Sequence, residues 1–179
     1  MDEGNPEAAA GLLAEVYQEL RRIAAYKMAT EAPGQTLQAT ALVHEAWLRL
    51  AGRGAPQWPD RAYFFAAASE AMRRILVENA RRKQRLKRGG RLERLDIAEL
   101  DLPAPLPDED LLALDEALTR FAQLEPRAAE LVKLCFFVGL THEQAAKELG
   151  ISVATVERSW AFARAWLFRE LQKSRSPAN

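Results

Sequence analysis

Apolar positions recur at three- and four-residue spacing along most of the chain. Leu12, Leu13, Val16, Leu20 and Ile23 predict a first helix over about 6–30. The residues "APGQ" at 32–35 break it. Leu42, Val43, Ala46, Trp47 and Leu50 form the apolar face of a second helix over about 38–51. The stretch "GRGAPQWPD" at 52–60 holds two glycines and two prolines and reads as a loop. A third helix is expected from about Arg61 to Lys87, apolar and aromatic in its first half and basic in its second. No alternating strand pattern stands out, so the fold class is all-α.

The chain changes character after Gly89-Gly90. Pro103, Pro105 and Pro107 forbid a regular helix, and the charge turns acidic. Residues 89–108 therefore read as a proline-containing linker between two small helical domains, 1–88 and 109–173, with a tail at 174–179.

Composition bounds the function only loosely. The 179 residues carry 25 Lys+Arg against 25 Asp+Glu, so net charge names no partner. Its distribution is more informative: Arg73, Arg74, Arg81, Arg82, Lys83, Arg85, Lys87 and Arg88 crowd the end of the third helix, with Glu78 the one acid among them. A cationic helix end beside aromatics suits nucleic acid, with Arg and Lys on phosphates. The single cysteine, Cys135, lies in the apolar run "LVKLCFFVGL" and reads as a small buried thiol; no internal disulfide is available. The amino terminus is acidic, and no run of about 18 apolar residues occurs, so a cytoplasmic protein with no membrane insertion is expected.

The stretch "LTHEQAAKELGISVATVERSW" at 140–160 opens on a His-Glu pair. A zinc-protease helix needs a second His three residues after the Glu; here that position is Ala146, and after His44-Glu45 it is Leu48. Neither site closes. No metal-ligand set, cofactor motif or nucleophile–base constellation is present, so no enzyme is expected. What the stretch does contain is punctuation. Thr141 and Gln144 have capping-box spacing, and Gly150 can take the left-handed turn that ends a helix. Ile151 plugs the turn and Ser152 caps the next helix, which buries Val156, Trp160, Ala163 and Leu167. Two helices about a three-residue glycine turn make a helix-turn-helix. An ordinary helical hairpin would use the same caps. In a DNA-binding pair, Ala154, Thr155, Arg158 and Ser159 would meet base edges.

The segment from Leu140 to Leu171 resembles region 4 of extracytoplasmic-function (ECF) sigma factors of the sigma-70 family, and "LTRFAQLEPRAAELVKLCFFVGL" is similar to the helices before it. "TALVHEAWLRL" and "FFAAASEAMRRILVENARR" resemble the core-binding and promoter-melting segments of region 2. The likeness covers nearly the whole chain. It implies a sigma factor that directs RNA polymerase core to a two-part promoter. Thr141, Ser152, Ala154, Thr155, Arg158, Ser159 and Arg164 would then serve −35 reading. Trp58, Arg73, Arg74, Arg81, Arg82 and Lys83 would serve −10 reading, with the Trp58 loop receiving an unpaired base. Thr40, Leu42, Val43, His44, Glu45 and Leu48 would dock on the β′ clamp helices, and the second domain on the β flap.

One departure stands out. Related factors carry an acidic quartet before the Leu-Val, whereas this chain reads Gln38-Ala39-Thr40-Ala41. Electrostatic complementarity to a basic docking surface is thereby weakened. A phosphate on Thr40, or on Thr36 a turn upstream, would restore the charge, which makes a Ser/Thr kinase an expected partner beside an anti-sigma factor. Otherwise Thr40 would only cap the helix from Ala41 to Leu50. A conventional helix-turn-helix regulator working without polymerase is the alternative function.

Overall fold

The computed structural model describes residues 36–51, 60–86 and 108–175. The expected first helix, the Trp58 loop, most of the linker and the last four residues of the tail lie outside the described residues. Every regular element among the described residues is helical. In chain order they are α1 (Thr36–Ala51), α2 (Arg61–Leu86), α3 (Asp108–Leu124), α4 (Pro126–Lys133), a π-helical turn (Leu134–Val138), α5 (His142–Leu149) and α6 (Val153–Arg175).

Helix α2 is the central element. Asp60 starts it by accepting the Tyr63 amide at 2.8 Å. Phe64, Phe65, Ala68, Met72 and Ile75 are buried along one face at helical spacing. Trp47 of α1 packs against Phe64 with ring centroids 6.3 Å apart. On its other side α2 meets α3, α4, the π turn and α5. The buried residues of both halves of the chain thus form one continuous cluster, from Val43 to Leu171.

Helix α3 begins at Asp108, and its first turn is Asp108-Glu109-Asp110. The position gives these acids a local role, since carboxylates stabilise the positive end of the helix dipole. Its buried face, Leu111, Leu114, Ala117, Leu118 and Phe121, packs on α4 and α6. Pro126 opens α4 at the one position where a missing amide costs nothing.

The π turn replaces the regular helix expected through "LVKLCFFVGL". The Gly139 and Leu140 amides both donate to the Leu134 carbonyl, at 3.0 and 3.2 Å. The widened turn lets Leu134, Phe137 and Val138 all bury. Gly139, at φ 88°, then reverses the chain.

Gly150 is left-handed too, at φ 64°, and a Cβ there would meet nothing within 4 Å. Replacing it therefore tests backbone strain alone. Gly150→Ala is expected to lower the unfolding free energy by about 1–2 kcal/mol, read as a shifted urea midpoint.

Candidate nucleic-acid interface

Helices α5 and α6 are fixed to one another by a fully bonded turn. Thr141 Oγ1 accepts the Gln144 amide at 3.2 Å, and Gln144 Oε1 accepts the Thr141 amide at 2.9 Å, completing the capping box. At the other end of α5, the Ile151 amide reaches the Ala146 carbonyl at 3.0 Å and the Gly150 amide the Lys147 carbonyl at 3.3 Å. That is the Schellman arrangement. Ser152 Oγ then accepts the Thr155 amide at 3.2 Å and caps α6. Ala145 and Val156 are both fully buried, and His142 lays its ring edge on Trp160 with centroids 5.5 Å apart. His142 is thus a packing residue. Among the described residues, no group of three or more His, Cys, Asp or Glu side chains is placed to hold a metal.

The first two turns of α6 leave Ala154 and Arg158 exposed, with Thr155 and Ser159 half-buried beside them. Arg158 Nη2 lies 3.4 Å from Thr155 Oγ1, which steadies the guanidinium along the exposed face. Thr141 and Ser152 are exposed at its edge, their hydroxyls engaged as caps. Arg164 does not join this face. It is half-buried and lines a small apolar cleft with Leu114, Val132, Phe136, Trp160 and Leu167. Two turns beyond Val156 in a helix, a residue is back on the core side.

Glu143, in the first turn of α5, has its carboxyl held below the usual range by hydrogen bonds from its own backbone amide and from Thr141. A depressed carboxylate stabilises the folded state above its unfolded pKa, and that contribution fades as pH falls through the lower folded value.

The basic end of α2 is less free than its sequence suggests. Arg73 Nε binds Asp115 Oδ1 of α3 at 2.6 Å, its Nη2 donates to Thr119 Oγ1 at 2.9 Å, and its Nη1 meets Glu70 at 3.3 Å. The Arg73 side chain is only 19 % exposed and that of Asp115 11 %. Arg74 pairs with Glu70 at 3.0 Å but stays exposed. Arg81, Arg82 and Arg85 are exposed, with Arg82 also donating to Asn79 at 3.0 Å. The Lys83 side chain and Trp58 lie outside the described residues.

On α1, Val43 is buried against the core and Leu42 is half-buried. The face left outward is His44, Glu45 and Leu48, the last 56 % exposed. Val43 is therefore a packing residue and not part of an open docking face. Glu45 is paired with Arg49 at 3.0 Å, and Arg49 also meets Glu78 at 2.8 Å. The bond from Arg49 holds the Glu78 carboxyl below the usual range. Thr40 lies inside α1, four residues past its start at Thr36, so it does not cap a helix beginning at Ala41. The Thr36 and Thr40 side chains lie outside the described residues.

Several residues that shape this surface carry no signal in the sequence. Arg61 Nε binds Glu148 Oε1 at 2.8 Å, joining α2 to α5, and Arg61 also sits 5.2 Å over the Phe65 ring. Lys133 bridges Glu130 at 2.7 Å and Glu70 at 3.9 Å. Arg61 and Glu148, and Lys133 and Glu70, lie far apart in the chain, and no local spacing connects them.

No helix among the described residues is long and apolar enough to cross a membrane. No curated protein and no solved structure matches the chain. A family model described as "ECF sigma factor" matches residues 1–173, nearly the full length of the chain. The chain belongs to the ECF sigma factors, the RNA polymerase subunits that bind core enzyme and promoter DNA to initiate transcription.

Proposed function

We propose a division of labour along the chain. The block 109–173 reads the −35 element through the start of α6 and meets the β flap. The block 1–88 docks on the β′ clamp helices through α1 and melts the −10 element with the basic end of α2 and the 52–60 loop. The observation that carries this reading is the set of exposed Ala154 and Arg158 with half-buried Thr155 and Ser159, on a helix start capped by Ser152 and set by the capped ends of the preceding helix. A rigid, solvent-facing helix start with an arginine on its second turn suits base edges in a major groove. The test is transcription of a genomic fragment library by purified protein with core polymerase, paired with gel shifts with and without core. Specific transcripts that require the protein support the reading. Tight, salt-insensitive duplex binding by the protein alone would favour a conventional regulator instead.

Control by threonine phosphorylation is part of the proposal. The outward face of α1 offers Glu45 as its acid, and Arg49 already neutralises it. A phosphate on Thr40 adds about −1.5 to −2 charge just before Leu42. Thr36 opens the same helix and is the second site. Thr40→Asp is expected to tighten binding to a β′ clamp-helix fragment and raise transcription, and Thr40→Ala to remove any response to a kinase. Equal β′ affinity of the unmodified and Asp forms would end the switch hypothesis. An anti-sigma factor is the other expected regulator.

A further inference from the structure

We propose that the free factor is held in a closed form by a two-point ionic latch between α2 and the second block, and that this latch withholds Arg73 of the α2 basic surface while leaving the start of α6 open. The first point is Arg73, whose guanidinium is taken up by Asp115 and Thr119 of α3. The second is Arg61 of α2 on Glu148 of α5, where the Glu148 side chain is only 6 % exposed. Between them runs a polar seam of Glu70, Lys133 and Glu130. It lies beside the apolar contact that joins α2 to α3 and α4.

The consequence is asymmetric. Arg73 spends its donors on Glu70, Asp115 and Thr119 and is mostly buried, so in this form it cannot reach a phosphate. Arg158 and Ala154 on α6 stay exposed in the same form. The closed factor therefore presents its duplex-reading helix and withholds part of its strand-separating helix. Ion pairs suit such a device. A partly buried pair adds little net stability over apolar packing, but it fixes one geometry and is lost as a unit when a partner competes for either member. Core polymerase and the single strand of an opened promoter are competitors of that kind. The inference rests on the assignment of α2 to −10 melting.

The test uses the full-length chain with nitroxide labels at Arg85→Cys and Gln123→Cys, in a Cys135→Ser background. The closed form should give one narrow distance distribution. Asp115→Asn with Glu148→Arg should broaden it toward longer distances at unchanged helical content, and adding Arg61→Glu should draw it back by restoring the second pair. In unlabelled protein the opening variant should bind a short fluorescein-labelled single strand of mixed sequence more tightly, on the order of tenfold. The gain should fall steeply with salt. Non-specific duplex binding should rise less than single-strand binding, because Arg158 is exposed in both forms and the duplex gains only the charge that the substitutions add. An unchanged distance distribution in the opening variant would overturn the latch itself. Separation without tighter single-strand binding would overturn the masking claim, and would trace the failure to the α2 assignment, not to the latch geometry.

Discussion

Phe121→Ala should be the most damaging single truncation in the second block. The ring is fully buried and lies 4.9 Å from the Trp166 ring and 6.0 Å from that of Phe162. It is the aromatic through which α3 holds the middle of α6. Removing it takes away the transfer free energy of a buried phenyl ring and leaves a cavity that two rigid aromatic neighbours cannot fill. The expected cost is about 3–5 kcal/mol, a large part of the stability of a small helical protein. Phe162→Ala is the control, because Phe162 touches the same ring but is 51 % exposed. Its loss should cost well under half as much, since an exposed ring gains little from burial. Urea unfolding followed by circular dichroism separates the two. A loss below about 1 kcal/mol for Phe121→Ala would mean that α3 and α6 are not packed in this way.

What the sequence discloses and what it hides follow from range. The α5–α6 turn was readable because its signals are local. Thr141 with Gln144, Gly150, and Ser152 with Thr155 each act over three residues or fewer. The buried face of α6 was readable for the same reason, as Val156, Ala163 and Leu167 repeat with the helix. The pairing of Arg73 was hidden because its acid, Asp115, lies 42 residues downstream. From the sequence alone it is one more cation in a basic run. The π turn was hidden because five apolar residues in succession fit a regular helix equally well. It is the Leu134 carbonyl, accepting from two later amides, that identifies the wider turn. Thr40 looked like a cap because a threonine before an apolar segment usually is one, yet α1 begins a turn earlier.

The equal totals of basic and acidic residues take on meaning in the folded chain. Arg49 bridges Glu45 and Glu78, Arg61 meets Glu148, and Arg73 and Arg74 share Glu70. These cations are paired with acids of the same chain, while Arg81, Arg82 and Arg85 at the far end of α2 and Arg158 at the start of α6 are among those left exposed. Neutrality overall is thus compatible with two local cationic surfaces. Association with DNA should depend on salt as those surfaces do, not as the net charge would suggest.

Arg158→Ala should abolish most −35-dependent transcription while leaving the fold unchanged. The side chain is exposed, and within the chain it makes a hydrogen bond of 3.4 Å to Thr155, so its removal uncovers no buried group. Unfolding should therefore shift by no more than about 0.5 kcal/mol. On promoter DNA the same residue stands on the second turn of α6, where an arginine reaches a guanine edge with two donors or a phosphate with one. A base contact is worth about 1–3 kcal/mol, which corresponds to a roughly tenfold to hundredfold loss. Arg158→Lys discriminates between the two contacts. Lysine keeps the charge but cannot offer the paired donors of a guanidinium, so it should rescue a phosphate contact and fail to rescue a base contact. The measurement is run-off transcription from matched promoters with and without the −35 element, at fixed salt. If Arg158→Ala lowered both promoters equally, the residue would hold the backbone and read no base. If it lowered neither, the start of α6 would not be the −35 reader, and the assignment of the second block would fall with it.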